Sequence, residues 1–167
     1  KEVLLAYINQ QISGKYGYLK AVKSNNQYYD DIVPLYEKNV FVDCGAYDGD
    51  TAIGFAEFCK KRNKSFQKIV SFEMDETNIA NYKANVQLPN IELIEKGVWS
   101  HNTTLFFNDE TADTSREIVT TGTVAVSVDS IDNVMQGQPV TMIKMDIEGS
   151  EMEALKGASM TISQYHP

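Results

Sequence analysis

The sequence predicts an α/β domain in which helices cover both faces of a mostly parallel β-sheet. From residue 39 onward, short apolar runs alternate with segments of helical periodicity, which is the pattern of βαβ units. Turns that combine glycine with acidic residues follow two of these apolar runs. The chain has 167 residues, of which 43% are hydrophobic, so one domain with a buried core is expected.

Residues 1–38 are polar and rich in tyrosine, and we interpret them as a cap or lid. The domain itself is predicted to cover residues 39–167. A short amphipathic helix is predicted over residues 2–11, because Gly14 and Gly17 interrupt any longer helix.

Two pairs of strand and helix follow this segment. The run VFVDC predicts a strand over residues 40–44, and apolar residues at helical spacing predict a helix over residues 51–61. The run KIVSF predicts a second strand over residues 68–72. Asp75 is predicted to cap a second helix, which extends to about Val86.

The second half of the chain is predicted to add strands of both directions. A third strand is expected over residues 91–99. Segments 103–108 and 123–128 alternate apolar and polar residues, which predicts an antiparallel pair. Another strand is predicted over residues 141–146, and a final amphipathic helix over residues 151–162.

The sequence stops just after that helix, where a doubly wound sheet would continue with a further strand. Either the sheet is unusually small, or the C-terminal strands of the domain are missing from this sequence. An unpaired edge beside a central strand favours pairing with another chain. We therefore expect a partner or a second copy of the chain to cover it.

Charge and hydropathy exclude several classes of partner. The formal net charge is −8, whereas nucleic-acid binders need basic side chains to neutralise phosphates. No apolar run approaches the roughly 20 residues that span a bilayer, and no signal-peptide pattern is present, so stable membrane insertion is not expected. Cys44 and Cys59 lack metal-ligand spacing, which predicts free thiols, no metal site and a cytoplasmic location.

The first candidate site is the turn that follows the first predicted strand. Asp43 ends that strand, and Gly45 and Gly49 lie in the turn before the next helix. Glycine lets a ligand approach the backbone, and the helix N-terminus offers free N–H groups. Asp43 replaces the first glycine of the dinucleotide pattern GxGxxG. A carboxylate there repels a pyrophosphate and suits an amine with a sulfonium, which favours S-adenosylmethionine over NAD.

Two further acids end predicted strands. Glu73 lies 24 residues after Gly49, close to the roughly 20-residue offset at which an acid binds ribose hydroxyls. Asp146 ends the strand over residues 141–146, with Glu148 in the turn that follows. Because carboxyl ends of parallel strands line the ligand crevice of such sheets, both acids are candidate site residues.

The segments VFVDCGAYDGDT, SFEMDETNIANYKANV, KGVWS, VSVDSID and IKMDIEGSEMEALKGA occur in this order and resemble the FkbM family of methyltransferases. The resemblance extends from about Tyr28 to the C-terminus. It implies a Rossmann-like methyltransferase fold that binds S-adenosylmethionine. It also implies O-methylation, typically of a carbohydrate or another small molecule.

The same resemblance implies which residues bind the cofactor. The turn after the first strand would bind the methionine end, Glu73 the ribose, and Met74 with the third strand the adenine. The implied cofactor-binding residues are Asp43, Gly45, Ala46, Tyr47, Asp48, Gly49, Thr51, Glu73, Met74, Gly97, Val98 and Asp146.

Catalysis is expected to involve a general base, because an alcohol is a poor nucleophile. Asp146 is the first candidate and Glu148 the second. Lys144 shares one side of its strand with Asp146 if the alternation continues, and it could orient the acceptor or tune the pKa of the acids. His101 is a conceivable base, although a lone histidine in a polar loop is more often solvated. Glu151 is interpreted as a first-turn acid that complements a helix dipole.

Two other functions stay open from the sequence. The chain could bind the cofactor or a nucleotide without transferring a methyl group, or it could be an NAD enzyme, against which Asp43 argues. The acceptor is not evident from these residues. Its contacts are expected in the polar loop of residues 109–122 and in the tyrosine-rich N-terminal segment, where Tyr28 and Tyr29, like Tyr47, could stack on a ring.

Overall fold

The computed structural model describes residues 1–23, 28–29, 32–107, 118–119 and 122–167. The chain divides into two compact units, Lys1–Pro34 and Leu35–Pro167. The first unit contains helices α1 (Glu2–Ser13) and α2 (Gly17–Ala21). Helix α1 ends at Gly14, which has a φ of 67° and whose N–H donates to the carbonyl of Gln10.

The second unit holds the remaining strands and helices. Its strands are β1 (Lys38–Cys44), β2 (Ser65–Phe72), β3 (Ile91–Ile94), β4 (Gly97–Val98), β5 (Thr103–Phe107), β6 (Ile118–Val119), β7 (Val124–Asp129) and β8 (Met142–Met145). Its helices are α3 (Asp50–Lys61), α4 (Glu76–Asn85), α5 (Ile131–Met135), α6 (Glu151–Lys156) and α7 (Ser159–Tyr165).

The central sheet is parallel, with the strand order β3-β2-β1-β8. The chain order reverses beside β1, because β2 and β3 lie on one side of it and β8 lies on the other. Sheets of this type bind ligands at such a switch point, outside the carboxyl ends of the strands. In the register of the sheet, Asp43 of β1 lies opposite Ser71 of β2 and opposite Lys144 of β8.

The second sheet has the order β4-β7-β5-β6 and mixes both strand directions. Strand β4 pairs with β7 in parallel, whereas β5 pairs antiparallel with both β7 and β6. The antiparallel pair predicted from segments 103–108 and 123–128 is therefore confirmed.

The core lies on both faces of the central sheet, because successive side chains of β1 point to opposite sides. On one face, Val42 packs in a cluster with Ile131 of α5 and Ala154 of α6. On the other face, the ring of Phe41 lies 4.5 Å from the ring of Phe55 in α3, measured between centroids. The predicted fold class, an α/β sheet with helices on both faces, is confirmed.

The strand predicted over residues 91–99 is wrong as a single element. Its first part is β3 in the central sheet, and its last part is β4 in the second sheet. A tight turn separates them, in which the N–H of Lys96 donates to the carbonyl of Ile94 at 2.8 Å. The N–H of Trp99 then donates to the carbonyl of Asp129, which directs the chain along β7.

The helix predicted over residues 151–162 is also wrong as a single element, since α6 ends at Lys156 and α7 begins at Ser159. The carboxylate of Asp132 accepts the N–H groups of Met160 and Thr161, which creates a new helix N-terminus. A Cβ added to Gly157 would lie only 2.2 Å from the carbonyl oxygen of Trp99. Close packing at Gly157 and the Asp132 cap therefore break the helix.

Cys44 and Cys59 are free and buried, as predicted, and burial raises the pKa of both thiols. None of the helices in the described part of the chain combines the length and the apolar character needed to cross a membrane.

Candidate functional site

A cleft of about 680 Å³ opens at the carboxyl ends of β1, β2 and β8. This volume is within the range of roughly 300–1,000 Å³ that is usual for small-molecule sites. The cleft also borders the second sheet. Eight of the predicted site residues line it: Gly45, Tyr47, Glu73, Met74, Gly97, Val98, Asp146 and Glu148.

The turn of residues 45–49, between β1 and α3, has an unusual backbone. Gly45, Tyr47 and Gly49 have φ values of 81°, 50° and 90°, all in the left-handed region. A Cβ on Gly45 would lie 2.2 Å from the carbonyl oxygen of Asp146, and one on Gly49 would lie 2.2 Å from a methyl of Val86. Both positions therefore require glycine, and the turn runs tightly against the end of β8.

Glu73 connects this turn to the end of β2. One carboxylate oxygen accepts the N–H of Tyr47 at 2.8 Å, and the other accepts the N–H groups of Met74 and Asp75 at 2.8 and 2.9 Å. A carboxylate offers about four acceptor positions, so about one remains for a ligand. Glu73 therefore fixes both turns in addition to facing the cleft.

Asp43 and Lys144 form a buried ion pair and are not among the described residues that line the cleft. The Lys144 ammonium lies 3.3 Å from Asp43 Oδ1, and no other described group donates a hydrogen bond to either Asp43 oxygen. Burial raises the pKa of Asp43 to about 6, although the charge of Lys144 opposes this rise. The ammonium also donates to the carbonyl of Gly45 at 2.7 Å.

Asp146 and Glu148 are exposed and line the cleft from the loop after β8. The N–H of Asp146 donates to the carbonyl of Cys44 at 3.1 Å, which holds this loop against the end of β1. Glu148 has a φ of 52°, which is unusual for a residue with a side chain. Two acidic residues of one short loop therefore line the cleft.

Glu151 holds the same loop from the first turn of α6. Its carboxylate accepts the N–H groups of Ile147 and Gly149, at 3.1 and 2.9 Å. Hydrogen bonds from its own N–H and from these two groups lower its pKa. Among the described residues, Glu151 is not part of the cleft lining, which agrees with its interpretation as a first-turn acid.

Apart from Gly97 and Val98 of β4, the wall formed by the second sheet was not predicted from the sequence. Lys96 and Trp99 line the cleft at the two ends of β4, and Leu105, Phe107 and Val128 add an apolar surface from β5 and β7. Predicting these strands did not show which cleft they face, because that depends on how the second sheet packs. The prediction failed because the sequence did not show that β3 and β4 belong to different sheets.

A buried carboxylate, Asp129, organises this wall. It accepts hydrogen bonds from Lys96 Nζ at 2.8 Å, from Asn133 Nδ2 at 2.9 Å, from the N–H of Ser130 at 2.9 Å and from Asn102. Burial alone would raise its pKa, but the hydrogen bonds from Lys96, Asn133 and Asn102 outweigh burial and lower it. Asp129 is therefore ionised and neutralises Lys96.

Residues 43–167 match the family model of the methyltransferase FkbM domain, which is more than half of the chain. The chain belongs to the FkbM methyltransferase domain family. The matched range includes every described residue that lines the cleft, and the resemblance inferred from the sequence segments is confirmed.

The fold of this FkbM-family chain is also similar to a solved structure. The crystal structure of methyltransferase FkbM from Methylobacillus flagellatus KT aligns with 99% of the chain, with a TM-score of 0.67 and 23% sequence identity. At that identity the likeness shows the fold alone, which is Rossmann-like. The chain spans 41% of the length of that protein. No curated protein matches the chain.

Several residues implied by the FkbM resemblance lie beside the cleft and do not line it, among the described residues. Ala46 is fully buried, and its N–H donates to the carbonyl of Phe72 at 3.0 Å. Asp48 and Gly49 complete the turn, and Thr51 is buried in the first turn of α3. These residues shape the turn that Gly45 and Tyr47 present to the cleft.

The other predicted candidates are placed as follows. His101 is exposed, contacts the hydroxyl of Ser100 at 3.1 Å and is not among the described lining residues. Tyr28 and Tyr29 pack edge to face within the unit Lys1–Pro34, with their rings 6.3 Å apart. Most of the loop at residues 109–122 lies outside the described residues. Within the described part of the chain, no cluster of three metal-ligating side chains occurs.

Proposed function

We propose that this domain transfers a methyl group from S-adenosylmethionine to a hydroxyl oxygen of a carbohydrate or another small molecule. One observation carries the proposal: a single cleft unites the turn after β1, Glu73 after β2 and Asp146 after β8 in a chain of a methyltransferase family. The choice of an oxygen acceptor follows the resemblance of the sequence segments to the FkbM family.

The residues around the cleft fit this cofactor. The turn at Gly45 and Tyr47 exposes backbone that a ligand can approach closely, which suits the methionine end. Glu73 has about one acceptor position left, which is enough for one ribose hydroxyl. Met74 and Val98 offer apolar surface for the adenine, and a Cβ on Gly97 would lie 3.2 Å from the sulfur of Met74.

The charges in the cleft also favour a cationic donor and a neutral acceptor. Glu73, Asp75, Asp146 and Glu148 line the cleft. Lys96 also lines it, but its charge is neutralised by Asp129. Opposite charges attract more strongly where solvent is partly excluded. The negative cleft therefore stabilises a sulfonium and disfavours phosphorylated or carboxylated acceptors.

When bound, the cofactor supplies an electrophilic methyl group that is open to in-line displacement. The cleft contributes mainly by holding the acceptor hydroxyl in line with that group. Asp146, which is exposed in the cleft, accepts the proton of the hydroxyl, and Glu148 is the second candidate for this role. The apolar wall of Leu105 and Phe107 keeps competing water away.

Calorimetric titration with S-adenosylhomocysteine tests the cofactor site. Glu73→Ala is expected to weaken binding at least about tenfold, because a hydrogen bond to a charged group contributes roughly 1.5–3 kcal/mol. Glu76→Ala is the matched control, because Glu76 is an exposed neighbouring carboxylate outside the described cleft lining, and it is expected to leave the affinity unchanged. Absence of binding by the folded wild-type chain would contradict the proposal.

Methyl transfer itself needs a separate measurement. Transfer of a labelled methyl group to a panel of neutral sugars and polyols is expected for the wild type and is expected to fall about 100-fold or more in Asp146→Asn. Binding of S-adenosylhomocysteine without transfer to any acceptor would instead identify a non-catalytic cofactor-binding module.

A further inference from the structure

The turn at residues 45–49 borders the cleft, yet side chains outside the described cleft lining help to hold it. Lys144 Nζ donates to the carbonyl of Gly45 at 2.7 Å, and Asn85 Nδ2 donates to the carbonyl of Asp48 at 3.0 Å. Left-handed residues such as Tyr47 persist only where the surrounding structure fixes them. The donors around the turn are therefore part of what keeps it in shape.

Lys144 reaches the turn because of the register between β1 and β8. It lies opposite Asp43 on the neighbouring parallel strand, so both side chains project from the same face of the sheet. Its ammonium is 2.7 Å from the carbonyl oxygen of Gly45, 3.3 Å from Asp43 Oδ1 and 3.5 Å from the carbonyl oxygen of Cys44. The Lys144 side chain is only 7% exposed, so these contacts replace its water.

We propose that Lys144 is a positioning residue whose ammonium holds the turn at residues 45–49 in the conformation that receives the methionine end of the cofactor. It acts through the carbonyl of Gly45 and is separate from the reacting atoms, because the cleft lining in the described chain does not include it. The identity of the ligand rests on the proposed function, whereas the contacts between the ammonium and the turn stand without it.

A simpler role for Lys144 is to neutralise the buried carboxylate of Asp43 and nothing more. The two roles predict different results when Asp43 and Lys144 are both replaced by neutral side chains. Removing both charges avoids an uncompensated buried ion, which would otherwise be strongly destabilising. A neutral pair without a donor still leaves the carbonyl of Gly45 without the Lys144 hydrogen bond, so only the positioning role predicts a distorted turn.

Two double variants separate these roles. Asp43→Asn with Lys144→Met, here the Met pair, is neutral and has no hydrogen-bond donor at position 144. Asp43→Asn with Lys144→Gln, here the Gln pair, is also neutral but keeps a donor there. Calorimetry with S-adenosylhomocysteine is expected to show about 10- to 100-fold weaker binding for the Met pair than for the wild type. The Gln pair is expected to bind S-adenosylhomocysteine at least about threefold more tightly than the Met pair. Equal affinities of the two pairs would overturn the proposal.

Native-state hydrogen exchange provides a readout that needs no ligand. The amide of Tyr47 donates to the carboxylate of Glu73, and the amide of Gly49 donates to the carbonyl of Ala46 within the turn. In the Met pair they are expected to exchange about tenfold faster than in the Gln pair, while the amide of Val42 in β1 changes little. Equal exchange in both pairs would overturn the proposal.

Together, calorimetry and hydrogen exchange distinguish a failure of the proposed function from a failure of the role proposed for Lys144. A wild-type chain that fails to bind S-adenosylhomocysteine, but whose variants separate by exchange, contradicts the proposed function and leaves the role of Lys144 in place. If neither double variant folds, the single variants Lys144→Gln and Lys144→Met take their place. The amides of Tyr47 and Gly49 are then expected to exchange faster in Lys144→Met than in Lys144→Gln, and equal exchange would overturn the proposal.

Discussion

Asp43 and Glu73 were both predicted as cofactor ligands from their positions at strand ends, and the structure gives them different surroundings. Glu73 faces the cleft and accepts three backbone N–H groups, whereas Asp43 is fully buried beside Lys144. The positions of both acids at strand ends could be predicted, because each stands at the end of an apolar run in the sequence. The burial of Asp43 could not, because it depends on a lysine 101 residues further along the chain and on the β1–β8 register.

The raised pKa of Asp43 has a consequence for stability. Burial shifts it from an ordinary value of 3.8 to about 6, so the folded chain binds this proton more tightly than the unfolded chain does. The resulting stabilisation is fully present below pH 3.8 and disappears as the pH rises through about 6. At about 1.4 kcal/mol per unit of pKa, it amounts to about 3 kcal/mol.

Urea denaturation of the wild type and Asp43→Asn at several pH values checks this effect. The difference in the free energy of unfolding is expected to shift in favour of the wild type by up to about 3 kcal/mol between neutral pH and about pH 4. Comparing the two proteins removes the contributions of the other carboxyl groups. A difference that does not change with pH would contradict the buried, raised-pKa carboxyl.

A second prediction at the residue scale concerns Gly45. Gly45→Ala is expected to destabilise the fold by more than about 1 kcal/mol, because it combines a positive φ with a Cβ 2.2 Å from the carbonyl oxygen of Asp146. Gly149→Ala shares a positive φ but has open space around the new Cβ, so it isolates the backbone strain. Gly17→Ala has neither problem and serves as the control. Equal thermal stabilities of the three variants would refute the steric contribution.

At the scale of elements, the alternation of apolar runs and helical segments was sufficient to predict the central sheet and helices α3 and α4. The failures lie where tertiary contacts redirect the chain. Only Glu95, Lys96 and Gly97 separate the apolar residues on the two sides of the tight turn, so the interruption is too short to show that the chain changes sheets there. Helix α5 was missed because its five residues are too few for a periodic signal.

The cap that separates α6 from α7 yields a prediction about stability. Asp132→Ala removes the acceptor of the Met160 and Thr161 N–H groups and of the Thr161 hydroxyl, so it is expected to cost about 1–2 kcal/mol. Glu57→Ala on the exposed face of α3 is the control and is expected to stay within about 0.5 kcal/mol. Denaturant titration measures both, and an unchanged midpoint in Asp132→Ala would show that the cap contributes nothing.

At the scale of the whole molecule, the family match and the cleft concern the unit Leu35–Pro167, in which every described lining residue lies. The predicted role of residues 1–38 as a cap or lid stays a prediction. Four acidic residues of the cleft lining contribute to the net charge of −8, which agrees with the proposal of a cationic cofactor.

Ligand selectivity is the prediction that belongs to the whole molecule. S-adenosylhomocysteine at about 100 times its dissociation constant is expected to stabilise the folded chain by about 2.7 kcal/mol, which raises the melting temperature by several degrees. NAD is expected to give no such rise, because its pyrophosphate meets a negative cleft. Scanning calorimetry with each ligand checks this, and an equal rise with NAD would favour a nucleotide-binding role.

Trp99 is the only tryptophan in the chain, and it lies in the wall of the cleft, where its backbone carbonyl abuts Gly157. The ultraviolet fluorescence of the protein therefore comes chiefly from the indole of this one cleft-lining residue. We expect ligand binding in the cleft to change this emission, so that binding could be followed without a dye or an engineered probe. The same signal reports whether a distant substitution has disturbed the junction between β4 and the C-terminal helices.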